Sequence, residues 1–180
     1  MGSPDNEFHS SVGALIGAFA DVEDRLRLCL RELSGLPQNK FEILVGFPRT
    51  GESLSKLKKL LALAHLEGDG HARVQEALNQ LENIVKLRDR LVHYGGFAEE
   101  EVVAVYLKPN GVPQNVRWFA EEYPPSSIRD AASDLGTIYT TLTAYIGSRP
   151  PEEIRNEMKR ELPKLGTWQY KPPEQQTVRR

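Results

Sequence analysis

The chain has 180 residues, an apolar fraction of 39% and a formal net charge of -2. It is long enough for one domain with a sizeable core, and its balance excludes both a disordered chain and broad coating of DNA by bulk positive charge. The single cysteine, Cys29, excludes an internal disulfide, and no apolar run approaches the roughly 18 residues needed to cross a bilayer.

A first helix is expected over about Phe8–Leu33. Its stripe is Phe8, Val12, Leu15, Phe19, Val22, Leu26, Cys29 and Leu33, spaced by four and three as in a helix packed lengthwise in a bundle. Ile16, Leu28 and Leu30 widen it. Cys29 belongs to this stripe, so a buried thiol and a cytoplasmic location are expected. Met1–Glu7 is polar and lacks the apolar core of a secretory leader. Glu23 and Arg27 stand one turn apart, either solvated or lining a groove that faces Arg88 further along the chain.

Gly35 and Pro37 stop this helix. Phe41–Phe47 is short and apolar, a helical turn or an irregular core plug. The loop Gly46–Gly51 lacks the glycine spacing and the Lys-Ser/Thr ending of a phosphate-binding Walker loop. A second long helix is expected over Leu54–Leu66, with Leu54, Leu57, Leu61 and Ala64 on one face. Its Lys56, Lys58 and Lys59 form a basic patch that is either a solvated face or a contact to an RNA backbone. The turn that follows carries His65, Asp69 and His71, which match no metal-ligand spacing. No metal or cofactor site is expected.

The third long helix, about His71–Tyr94, carries Val74, Leu78, Leu81, Val85 and Val92 in steps of three and four, with Ala77, Ile84 and Leu91 alongside. It ends in LRDRLVHYGG, residues 87–96. Arg88 lies in the apolar side, where a lone guanidinium is costly unless something anionic meets it. His93 follows at the helix end, where Gly95 and Gly96 can form a left-handed cap. Five residues turn a helix by about 500°, leaving the two side chains about 140° apart. Their convergence therefore requires either a loosened helix end or a second copy of the chain.

Beyond this helix the period changes. Val102–Leu107 reads as a strand, Asn110-Gly111 as a turn and Val116–Phe119 as a return strand, giving a small hairpin that must pack on the helices because two strands alone are marginal. Trp118 and Phe119 are its expected anchors. Ser126 and Ser127 are expected to cap a fourth long helix over Ile128–Ile146, with Ile128, Leu135, Ile138, Leu142 and Tyr145 facing inward. Pro151 then opens a short charged helix, Glu152–Leu162, and Gly166–Arg180 reads as an extended tail. The expected organisation is a helical domain over 1–148, with the hairpin near 102–119, followed by a short helix and tail over 149–180.

Arg88, Asp89 and His93 match the Arg-polar-His signature of the HEPN superfamily, small helical proteins of toxin–antitoxin, phage-defence and RNA-processing systems, and LRDRLVHYG resembles the end of their third long helix. The resemblance covers about residues 8–146. It implies a mainly α, four-helix bundle and a homodimer whose paired motifs line one cleft. It also implies metal-independent RNA cleavage, in which a histidine takes the 2′-hydroxyl proton and arginine stabilises the phosphoryl oxygens. Asp89, one turn before His93, is then a candidate to orient the imidazole. Each residue also has a plainer reading: Arg88 in a salt bridge to an acid on the first helix, Asp89 in a surface pair and His93 as a helix cap favoured by the macrodipole.

One HEPN toxin branch carries a tyrosine two residues after the histidine, which its partner modifies with AMP. Here that position is Gly95, and Tyr94 directly follows His93. The alternative function is a non-catalytic helical binding or regulatory protein that recognises RNA, a nucleotide or a toxin or antitoxin partner. A DNA-binding regulator is disfavoured by the slightly acidic balance and the absence of an evident recognition helix.

Overall fold

The computed structural model describes residues 4–66, 68–94, 97–99, 102–107, 119–147 and 150–173. The described chain is mainly helical, in the order α1 (Pro4–Ser34), α2 (Gln38–Leu44), α3 (Thr50–Leu61), α4 (Gly70–Tyr94), β1 (Phe97–Glu99), β2 (Val102–Leu107), β3 (Phe119–Tyr123), α5 (Pro125–Tyr145) and α6 (Glu152–Glu161).

The apolar spacing explains the bundle. Phe8, Leu15, Phe19, Val22, Leu26 and Cys29 of α1 are buried and pack mainly against α5, whose Ile128, Leu135, Ile138 and Leu142 are also buried. Helix α4 packs on α5 and α3 through Val74, Leu78, Leu81, Ile84 and Leu87. Val92 departs from its expected stripe and is 52% exposed, while its neighbour Leu91 is the residue of that turn that faces the core.

One local expectation is decided and two change. The segment after Pro37 takes the helical alternative, a seven-residue helix that buries Phe41 alone and leaves Ile43, Leu44 and the following Phe47 exposed, so it is not a core plug. Helix α5 begins with Pro124 as N-cap and Pro125 in the first turn, and neither Ser126 nor Ser127 caps it. A proline early in a helix loses no bond that the helix would otherwise make, and its fixed φ favours helix entry. Pro151 likewise is the N-cap of α6 rather than part of its first turn.

The sheet is larger than the two-stranded hairpin expected over 102–119. The strands make a three-stranded antiparallel sheet in the order β1-β2-β3, with Glu99 opposite Val102 and Leu107 opposite Phe119. Phe119, the last residue of the expected return strand, is the first described residue of β3, and β1 supplies the further pairing that two strands lack. The sheet lies against α4 and α1. Asn110-Gly111 and Trp118 fall outside the described residues.

The C-terminal segment is tied down rather than free. The side-chain amide of Gln80 on α4 donates to Asp134 of α5 at 2.8 Å and to the Tyr170 carbonyl at 2.9 Å. The backbone N–H of Gln169 donates to Asp134 at 3.0 Å and that of Tyr170 at 2.9 Å. Tyr170 is fully buried and Trp168 packs against the core. Lacking helical or strand periodicity, this segment gives no pattern to read. It is ordered by hydrogen bonds to its backbone and by two aromatic rings.

Candidate functional site

Helix α4 stays helical through Tyr94. The turn that holds His93 is therefore not loosened, and the angular gap between Arg88 and His93 persists within one chain. Leu87 and Leu91 anchor this end of the helix in the core, with Arg88 half-buried between them.

Arg88 meets its own neighbour rather than an acid on the first helix. Its Nη1 donates to the Asp89 carboxylate at 2.8 Å, and its guanidinium lies 5.0 Å from the centre of the Phe19 ring on α1. That distance suits a cation–π contact, and the ring makes a flat support for the planar group. The Nε–H of Arg88 is buried and has no hydrogen-bond partner among the described residues.

Asp89 thus spends its carboxylate on Arg88, and among the described residues it makes no hydrogen bond to His93. His93 is exposed on the last turn of α4. Of the three residues singled out from sequence, the structure joins Arg88 to Asp89 and leaves His93 apart from both.

Arg90 was not singled out from sequence. Its Nη1 donates to the Tyr123 hydroxyl at 2.6 Å, fastening the end of β3 to α4. Its position in the run Arg-Asp-Arg is the only sequence signal for it, since Tyr123 lies 33 residues further on.

The other charged candidates are largely committed. Lys56 pairs with Glu52 at 2.7 Å, and Lys58 pairs with Glu82 at 2.7 Å while donating to Asn79 at 2.9 Å. Two of the three lysines in the basic patch are therefore neutralised locally. Asp69, between His65 and His71, pairs with Arg73 and accepts the Tyr145 hydroxyl, and its carboxyl is held below the ordinary value chiefly by the Arg73 hydrogen bond.

Glu23 and Arg27 do not reach Arg88. Glu23 accepts the Thr50 hydroxyl, and Arg27 lies 3.9 Å from the centre of the Phe47 ring and 3.8 Å from Glu42. They line a recess of about 290 Å³ between α1 and the loop entering α3. Among the described residues, no helix is long and apolar enough to cross a membrane. Comparison with family models, curated proteins and solved structures finds no match to this chain.

Proposed function

We propose that the chain is a metal-independent endoribonuclease of the HEPN kind, acting as a homodimer with the Arg88 end of α4 near the two-fold axis. The observation that carries this reading is the contrast between the two motif residues. Arg88 is held in place by Asp89 and Phe19 with a donor left over, while His93 is open to solvent on the same helix end. Since α4 does not loosen, a partner's copy is what brings histidine and arginine to one phosphate. In that cleft His93 takes the proton of a ribose 2′-hydroxyl. The freed oxygen attacks the adjacent phosphorus, the bond to the 5′-oxygen breaks, and a second protonated group gives that oxygen its proton. Arg88 meets the charge that builds on the phosphoryl oxygens, and Asp89 positions Arg88. A toxin–antitoxin or phage-defence setting, with a protein that restrains the activity, follows from the same resemblance.

The deciding experiment treats labelled single-stranded RNA and tRNA with purified protein in excess EDTA. Cleavage should leave 2′,3′-cyclic phosphate and 5′-hydroxyl ends, and DNA should survive because it lacks the nucleophile. His93→Ala should lower the rate by roughly 10²–10⁴. Identical RNA patterns from wild type and His93→Ala would remove this reading.

A second reading has its own observation. The Asp89 carboxylate already neutralises Arg88 within one chain. A cation neutralised by its own neighbour suits a non-catalytic protein that binds RNA, a nucleotide or a protein partner, and such a protein would leave RNA intact in the same assay.

A further inference from the structure

The recess between α1 and the α3 entry loop has features that the fold itself does not use. Its volume of about 290 Å³ lies just below the range of drug-sized sites, about 300 to 1,000 Å³, and suits a single ring system. Leu26 and Pro48 supply apolar wall. Phe47 is 81% exposed, yet its ring is paired with the Arg27 guanidinium at 3.9 Å. That pair makes a flat cationic and aromatic surface of the kind on which a base stacks.

The polar groups are unequally occupied. Glu23 is committed to the Thr50 hydroxyl. Asp24 lines the recess, is exposed, and has no hydrogen bond or ion pair among the described residues. Ser53 also lines it, is only 5% exposed, and its hydroxyl has no partner among the described residues. The Arg27 Nε–H is buried and unpartnered as well. A buried polar group ordinarily finds a partner, so the Arg27 Nε–H beside the recess marks a place where a ligand's acceptor belongs, and the Ser53 hydroxyl stands free to join it.

Charge narrows the ligand. Two carboxylates against one guanidinium leave the lining net negative, which disfavours a phosphate inside it. The Asp24 carboxylate calls for adjacent N–H donors, and Arg27 with Ser53 calls for nearby acceptors. Guanine presents both, with N1–H beside its N2 amino group on one edge and O6 and N7 next to them. Adenine sets the acceptor N1 beside its amino group, so a carboxylate meets one donor and one repulsive lone pair. Cytosine has the same conflict at N3, and uracil offers one donor between two carbonyls. We propose that this recess binds a guanine base, stacked on the Phe47–Arg27 surface with its N1–N2 edge on Asp24. The site would serve a free guanine nucleotide or an unpaired guanine in RNA, and it does not depend on RNA cleavage.

The test is titration calorimetry of the full chain with GMP, with AMP, and with short uridine oligomers carrying one central guanosine or one central adenosine. The oligomers are 2′-O-methylated, so binding is read apart from any cleavage. GMP or the guanosine oligomer should bind at least about tenfold tighter than its adenine counterpart, and Asp24→Asn should abolish that preference. Asp24 is exposed and makes no bond that the fold uses, so this variant should fold. Equal binding of GMP and the guanosine oligomer identifies a free-nucleotide site, and much tighter binding of the oligomer identifies an RNA site. Either supports the proposal. Absence of binding, equal affinity for guanine and adenine, or a preference untouched in Asp24→Asn would overturn it.

Discussion

Asp134 on α5 accepts the backbone N–H of Tyr170 at 2.9 Å, so the C-terminal segment is locked to the same carboxylate that receives Gln80 from α4. Asp134 is 2% exposed and binds three N–H groups, from Gln80, Gln169 and Tyr170. Asp134→Ala would leave those donors without an acceptor. Its expected cost is about 2–4 kcal/mol, since each buried unpaired donor costs about 1–3 kcal/mol and partial relaxation recovers some of the sum. Urea unfolding measures the loss, and hydrogen exchange at the Gln169 and Tyr170 amides should accelerate more than exchange in α1.

Gly147 follows α5 at a point where the chain has no space for a side chain. A Cβ there would sit 2.6 Å from the Thr143 carbonyl oxygen and against the guanidinium of Arg25, while Arg155 donates to the Gly147 carbonyl at 3.3 Å. The obstructing oxygen belongs to helix backbone and cannot swing aside. Gly147→Ala should therefore destabilise by about 1–3 kcal/mol, as overpacking does, and thermal unfolding measures it. Gly136→Ala is the control, because a Cβ at Gly136 meets nothing within 4 Å.

These two sites show what the sequence could and could not display. Phe19, Leu26, Leu78 and Leu81 recur at helical spacing, so α1 and α4 were legible with their buried faces. The Asp134 clamp was not, because two of its three donors are backbone N–H groups that leave no mark in residue type. The entry of α5 is hard to place from sequence for a related reason. Ser126 and Ser127 carry good capping side chains, but Pro124 and Pro125 set the backbone first. Arg88 was visible as a cation on an apolar side, whereas its partner could not be chosen from sequence. The expected partner is an acid on the first helix, yet that helix supplies the Phe19 ring instead and the adjacent Asp89 takes the charge. Much of the recess was hidden too, since Phe47 and Pro48 come from a loop without periodicity and Thr50 is only the first residue of α3.

Burial pushes the Cys29 thiol from 9.0 up to about 12, with Glu32 adding to the rise and Arg25 opposing it. A raised value means that the folded chain keeps its proton where the unfolded chain loses it. The resulting contribution is complete below about pH 9 and declines as pH rises toward 12, by about 1.4 kcal/mol per unit. Between about pH 8 and about pH 10, wild type should lose about 1.4 kcal/mol more than Cys29→Ala in parallel denaturant titrations. The native thiol should also resist thiol reagents until the chain unfolds.

The ribonuclease proposal makes a demand that single variants cannot meet. If α4 stays helical to Tyr94, the productive Arg88 and His93 come from different subunits. Arg88→Ala and His93→Ala should each be nearly inactive alone, the first through lost phosphoryl stabilisation and the second through lost proton transfer. Mixed, unfolded and refolded together, about half the chains should enter mixed dimers. Each mixed dimer holds one intact pair, with Arg88 of the histidine variant facing His93 of the arginine variant, and one pair missing both groups. About a quarter of the wild-type rate should then return, with the same cyclic-phosphate ends, from two proteins that are inactive apart. Sedimentation at micromolar concentration should show a dimer in wild type and both variants. If wild type cleaves RNA but the mixture recovers nothing, or if the active species sediments as a monomer, the two residues do not act across a subunit boundary and the composite cleft is wrong.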